Sequence, residues 1–441
     1  MDAPMIYLFP VLLLLIGVVY RALRSSGRGR SGRGVDLGDA FLFVLLMYGF
    51  VPGIGFLLAS LGVGQIVDQR MADGFVTADV EYVQLMHLAL ISGFAAAYIA
   101  ARRPNPNRQD QALRLEAGSL LLPLVIFALM ISLGVPLAMR VWGANVGDDY
   151  MSSYTALRDA PMLIQQLFGV ATQLQFAAVV AAVVVVVAAK PHRHHWVAVA
   201  LGVNVLFAAL SGGSRSVAFL SFFAYIVARS IFVPGFTLRS QFILVVPAIA
   251  LFMVAGMLRD KNPDASFLDL FQTGEFTVLF VNAVDLKDRF ANGLADEVRF
   301  AFYLVDVIRL IPGQLLGGVK LDPAQWYAET FYPEYFDAGG GFAFGILAEC
   351  VAGGGVLEAA LRGVLLGLLF AFSANRLIGT RLSMRRAFVY VWMVALCYQS
   401  YRDTTFSLLV RGLYQLVPML LLMSMFRRSA KLHLQVQAVS T

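Results

Sequence analysis

Arg215 stands in the turn Ser211-Gly212-Gly213-Ser214-Arg215-Ser216, between two apolar stretches at 196–210 and 217–231. Both stretches predict membrane helices, so the turn belongs at a bilayer surface. A guanidinium there is permanently charged and carries five donors, which calls for an anionic partner or a functional task. The glycines and serines leave backbone N–H groups open to an anion. A second chemical run is Gly339-Gly340-Gly341-Phe342-Ala343-Phe344-Gly345-Ile346-Leu347-Ala348-Glu349, followed by Gly353-Gly354-Gly355. From 342 to 352 it is too short to span, which predicts a re-entrant or surface helix carrying one carboxylate. Glu349 suits proton transfer from a hydroxyl, or an ion pair with Arg362. A third run, Tyr398-Gln399-Ser400-Tyr401-Arg402-Asp403-Thr404-Thr405, sits at a turn, and Arg411 follows two turns into the next apolar stretch. Arg215, Arg259, Lys261, Arg402 and Arg411 then fall in the same half of the membrane as Glu349, an arrangement suited to an anion-binding catalytic cleft. The plainer alternatives are a local Arg402–Asp403 pair and a stop-transfer flank at Arg259 and Lys261.

The elements that must position these groups follow from composition. The chain has 441 residues, 59% hydrophobic and 14% charged, with mean hydropathy +0.73. That apolar load exceeds what a soluble domain hides. Runs of about 20 apolar residues without alternation predict helices rather than a barrel. The expected fold is an all-α polytopic membrane protein with about eleven transmembrane helices. They fall near 4–20, 40–63, 83–101, 117–139, 161–189, 196–210, 216–233, 241–258, 357–375, 387–401 and 405–426. The start is acidic, and no basic residue precedes the first apolar run, which argues against a cleaved signal peptide. Every second loop is arginine-rich: Arg21–Arg33, Arg102–Arg114, Lys190–Arg193, Arg229–Arg239, Arg376–Arg386 and Arg427–Lys431. By the positive-inside rule the N-terminus lies outside and the C-terminus inside. The two cysteines, Cys350 and Cys397, sit in apolar surroundings and define no disulfide framework or metal site. The net charge of +6 comes from these short loops and implies no nucleic acid.

The chain divides into residues 1–258 with eight spans, a large outer loop at 259–340, and 341–441 with the re-entrant segment and the last three spans. The loop holds seven basic and thirteen acidic residues and is rich in aromatics, so it reads as ordered and functional. Residues 296–311 have helical periodicity, with Val298, Phe302, Val305 and Ile308 on one side and Arg299, Tyr303, Asp306 and Arg309 on the other. This predicts a helix on the outer leaflet, with Arg299 and Arg309 facing an anionic substrate or simply water. Trp326, Tyr327, Phe331, Tyr332, Tyr335 and Phe336 alternate with Asp322, Glu329, Glu334 and Asp337. Aromatic faces beside carboxylates suit sugar rings, and they also suit an interfacial belt.

Together, the Gly-Ser-Arg-Ser turn, the outer loop, the Gly-Phe-Ala-Phe-Gly-Ile-Leu-Ala-Glu run and the late Arg-Asp turn resemble the bacterial oligosaccharide repeat-unit polymerases, the Wzy-type O-antigen polymerases. The resemblance covers roughly residues 200–420. It implies glycosyl transfer of a growing glycan from undecaprenyl pyrophosphate to the next lipid-linked unit, at the periplasmic face of the inner membrane. Within it, Arg215 and Arg402 match outer-face arginines and Glu349 matches the acidic residue after the glycine-phenylalanine motif. Arg259, Lys261, Arg299, Arg309, Arg411, Trp326 and Tyr332 complete the expected substrate-binding set. The implied partners are the lipid-linked oligosaccharide, the bilayer and a protein that sets chain length. Related ligases rely on an outer-face histidine, and here only His87 lies near that face, which favours polymerase. Displacing a polyprenyl pyrophosphate requires leaving-group charge to be neutralised, by arginines or by Mg²⁺. Asp148-Asp149 is a weak metal motif, so the expectation is arginine, with no metal and no cofactor. The competing reading is a lipid-linked oligosaccharide flippase, although no internal repeat of the kind common in transporters is visible.

Overall fold

The computed structural model describes the backbone of residues 5–26, 35–63, 66, 68–71, 74–103, 111–141, 161–189, 202, 215–233, 275–293, 307–311, 322–337, 341–378 and 382–426. In chain order the helices are α1 (Met5–Ser26), α2 (Leu37–Ser60), α3 (Thr77–Ala101), α4 (Gln111–Val141), α5 (Met162–Ala189), α6 (Arg215–Phe232) and α7 (Glu275–Ala291). After them come α8 (Pro323–Phe331), α9 (Pro333–Asp337), α10 (Ile346–Ala352), α11 (Gly355–Leu377), α12 (Met384–Leu396), α13 (Gln399–Arg402) and α14 (Ser407–Phe426). No strand occurs among the described residues. Seven of these helices, α1 to α5, α11 and α14, are long and apolar enough to cross a membrane. The protein is a helical membrane protein.

The stretches expected at 196–210 and 241–258 lie outside the described residues. At 216–233 the helix is present, and its apolar part is Leu220–Phe232. At 387–401 the helix carries a local distortion at Cys397-Tyr398, whose backbone stays in the right-handed helical region. α12 ends at Leu396, and a turn leads into the one-turn α13.

Local sequence explains the helix ends that matter. Asp36 caps α2, accepting the Gly38 N–H at 3.0 Å. Asp322 caps α8, whose first residue is Pro323, by accepting the Ala324 N–H at 2.9 Å. Outward faces carry leucine stripes, such as Leu357, Leu361, Leu365 and Leu368 on α11, as lipid contact requires.

The centre of the bundle is α3 against α11. They run parallel. Tyr82 meets Gly355, Leu90 meets Gly363, Phe94 meets Gly367, and the Ala101 carbonyl accepts from Asn375. Glycine makes this possible. A Cβ on Gly363 would fall 2.1 Å from the Leu90 carbonyl oxygen, and one on Gly93 would fall 2.4 Å from that of Ala360. Small residues allow such backbone contact between membrane helices. Phe41, Phe94 and Phe370 close the same core with edge-to-face rings. Because α3 and α11 begin on one side, the bundle has two distinct ends. Glu349 belongs to the end where they start, and Asp36 to the end where they finish.

Residues 259–340 hold a helix that hydropathy does not announce. α7 buries Leu279, Phe280, Val281, Ala283, Val284 and Leu286. Phe276 packs on Tyr48 at 4.8 Å, and Phe280 packs on Phe56 at 5.6 Å. α7 therefore runs alongside α2 towards the Glu349 end rather than lying over the bundle. The helix expected at 296–311 lies outside the described residues except for its last turn, where Val307 is exposed.

Candidate functional site

α10 is the short helix that the glycine-rich run carries, and all seven of its residues are buried. It begins at Gly345, whose φ of +84° favours glycine, and a side chain there would press on Leu279 and the Tyr401 carbonyl. Glu349 therefore points into protein rather than along the membrane surface. Its Oε2 accepts from the Thr405 N–H at 3.2 Å and the Thr405 hydroxyl at 2.9 Å. The same oxygen pairs with Arg362 of α11. Arg362 also pairs with Glu358 at 2.6 Å, and Glu358 accepts the Gly354 N–H at 2.5 Å. One guanidinium thus ties α10, α11 and the 403–405 turn together.

Towards the surface, the 403–405 turn collects two more arginines. Arg309 lies 3.1 Å from Asp403 and 3.7 Å from Asp322. Arg411 lies 3.6 Å from the other Asp403 oxygen and donates to Gln399 at 3.1 Å. Arg402 closes α13 and is half-buried. Below the turn, His87 bridges Tyr401 and the Leu45 carbonyl, each at 2.9 Å. The carbonyl can only accept, so Nε2 carries the proton and Nδ1 accepts from the tyrosine hydroxyl. That contact fixes the residue preceding Arg402.

An aromatic cap flanks this network. Arg70 is sealed between Asp68, Asn282 and the Phe342 ring, 4.4 Å from its centroid. Burial disfavours the charge of Asp68, but the bonds and the charge of Arg70 outweigh it and hold the carboxyl below its usual range. Asp285 of α7 accepts from Tyr327 and, at 2.8 Å, from Tyr332. Arg289 donates to Asp285 at 3.0 Å and to Tyr332 at 2.8 Å, while stacking near Phe331 and Tyr332. Burial and the nearby Asp285 charge push the Tyr332 phenol up to about 12. Trp326 is half-buried, edge-on to Phe331 and Phe344, and Tyr335 stacks on Phe342. The cap thus presents half-exposed rings and one partly exposed guanidinium, a surface that suits sugar rings.

Of the expected site residues, the structure brings together Glu349, Arg402, Arg411 and Arg309, with Trp326 and Tyr332 in the neighbouring cap. Arg215 is the first residue of α6, and its side chain lies outside the described residues, as do Arg259, Lys261 and Arg299. Among the described residues the carboxylates number more than the one expected. Glu358, Asp403 and Asp322 join Glu349, because each lies within one helical turn or one contact of the arginines it meets. Among the described residues no three metal-ligating side chains come together. Glu358 and Arg362 were legible as an i,i+4 pair, and so were Asp285 and Arg289. Arg70 carried no local signal beyond Asp68, since Phe342 reaches it from the far end of the chain.

No family model, curated protein or solved structure matches this chain.

Proposed function

We propose that this protein is a membrane glycosyltransferase that polymerises oligosaccharide repeat units carried on undecaprenyl pyrophosphate, at the Glu349 end of the bundle. In this reading that end faces the periplasm of a bacterium whose inner membrane holds the protein. The observation that carries the proposal is the meeting of α10, α11 and the 403–405 turn, where Glu349, Arg362, Arg309 and Arg411 join segments distant in sequence beside an aromatic cap. The acceptor hydroxyl attacks the anomeric carbon of the donor glycan, and the bond from that carbon to the pyrophosphate oxygen breaks. The lipid pyrophosphate departs with the electron pair. Arg402 and Arg411, with Arg215, Arg259 and Lys261, neutralise its charge without a metal. Arg299, Arg309, Trp326 and Tyr332 hold the sugars. Glu349 orients or deprotonates the acceptor hydroxyl, and its bonds to Thr405 keep the Arg402-bearing turn in register.

Deletion of the protein is expected to leave surface glycan of single repeat units. Complete loss of surface glycan would point to a flippase instead, and unchanged glycan would remove the reading. The residue test is Glu349→Gln. Glutamine keeps the volume and an acceptor oxygen, and Arg362 keeps Glu358. The variant should accumulate normally and make only single repeat units, since proton transfer by a placed base is worth about 10²–10⁴ in rate. Aggregation would make Glu349 a purely structural partner of Arg362, and normal elongation would exclude it from the site.

A further inference from the structure

Two membrane helices carry polar side chains at membrane depth outside the Glu349 network. In the first half of α5, Gln165, Gln166, Gly169, Thr172 and Gln173 share one side of the helix at 3.6 residues per turn. The opposite side carries Leu163, Leu167 and Val170, all exposed as lipid contact demands. The amide side is not buried in protein. Its glutamines are half-exposed, Gly169 is exposed, and a Cβ built there would meet nothing within 4 Å among the described residues. Polar side chains at membrane depth belong to protein interiors or to paths for polar ligands. The second helix, α14, departs from α-geometry over Gly412–Leu416, a π-turn, a distortion common at functional sites. There Gln415 accepts from the Trp392 indole at 2.7 Å and donates to Gln173 at 2.6 Å. The π-turn so joins the amide side of α5 to Arg411 one turn away, whose buried Nε has no acceptor among the described residues. A buried charged N–H without an acceptor is costly, and a phosphate oxygen would supply one.

We propose that the amide side of α5 and the π-turn of α14 form a lateral groove that takes the polar head of a long-chain polyprenyl phosphate from the bilayer. Arg411 receives the phosphate, and the flanking leucines meet the chain. This deepens the polymerase reading and rests on its topology, in which α5 and α14 enter from the same side and Arg411 lies beside the upper turns of the stripe.

The test replaces Gly169 or Val170 with p-benzoylphenylalanine in the full-length protein, in nanodiscs of phosphatidylethanolamine and phosphatidylglycerol containing undecaprenyl phosphate. The two positions are adjacent in sequence and face opposite environments. Irradiation should cross-link undecaprenyl phosphate at 169 several-fold more than at 170, and Arg411→Gln should lower the yield at 169 alone. Equal capture at both positions overturns the groove, and so does capture at 169 of phosphatidylglycerol only. The readout needs no turnover. A selective cross-link in a protein that does not polymerise glycan would keep the groove and remove the polymerase, and polymerisation with equal cross-linking would do the reverse.

Discussion

The two ends of the bundle are both polar and are built differently. At the Asp36 end, Arg24 meets Asp36 at 2.8 Å, Asp39 at 2.7 Å and the Tyr20 hydroxyl at 2.7 Å. Arg102 reaches Asp36 at 3.2 Å and Asn375 at 2.6 Å, and Tyr98 donates to Asp36. Tyr390 joins the backbone of 35–37 to α12. Burial disfavours the charge of Asp36, yet bonds from Arg24 and Tyr98 and the charges of Arg24 and Arg102 hold its carboxyl below the usual range. Most of these groups come from helix termini or the residues next to them, with Tyr390 from the middle of α12, and they tie α1, α2, α3, α11 and α12 together. The Glu349 end instead recruits loop segments, the short buried helix α10 and half-exposed aromatic rings. A closed cluster of helix termini suits a fastening. A network threaded through loops suits a site, because loops carry the groups that meet ligands.

The sharpest way to break this contrast is Arg362→Met. Arg362 neutralises two buried carboxylates, and removing it leaves both uncompensated. The cost should be about 3–5 kcal/mol, seen as a lowered melting temperature and poor recovery from detergent. Adding Glu349→Gln and Glu358→Gln should recover most of the stability without activity. A stable Arg362→Met single variant would mean that the network does not hold α10 in place.

Asp36→Asn should have a smaller effect of a different kind. Asparagine can still cap α2, and Arg24 retains Asp39, but Arg102 loses its carboxylate. The expected loss is about 1–3 kcal/mol, with glycan elongation per folded molecule unchanged. Loss of elongation at full stability would show that the Asp36 end does more than fasten helices.

How much of this the sequence discloses depends on distance along the chain. The spans are legible because a membrane helix needs some twenty apolar residues in one run. α7 is not, because Asp285, Lys287, Asp288 and Arg289 at its far end dilute the apolar stretch that buries Phe280 and Val284. The distortion at Cys397-Tyr398 is also hidden, since both residues suit a helix. It is the bond from Tyr401 to His87, on α3, that accompanies it. Glu349 is legible as unusual by its setting between glycines, and Arg362 as its partner by type alone. The cap is not legible as a unit. Trp326 and Tyr332 read as an aromatic cluster, but nothing local ties them to Arg70 or Asp285. Helix ends are written within four residues, whereas the site is written across the whole chain.

The smallest expected effect separates a cap held by neutral phenols from one held by charge. The Tyr332 hydroxyl donates to Asp285 and accepts from Arg289, and in the folded protein its pKa is raised to about 12. A phenol raised on folding contributes stability that is complete below its ordinary value near 10. That contribution is lost as pH climbs through about 12, because the unfolded chain ionises first. Wild type should therefore exceed Tyr332→Phe in melting temperature by a constant margin at neutral and mildly alkaline pH. Above about pH 10 the margin should narrow. Tyr332 is too exposed for a large effect, so the change in margin is the observable rather than its size. A margin that widened with pH would mean that Arg289 favours the phenolate, and the cap would then be organised by cation–anion pairing like the Arg362 network. A margin that narrowed would leave the two halves of this end distinct, with ion pairs beneath and neutral aromatic donors above, where a sugar's hydroxyls could replace the hydrogen bonds of the phenol.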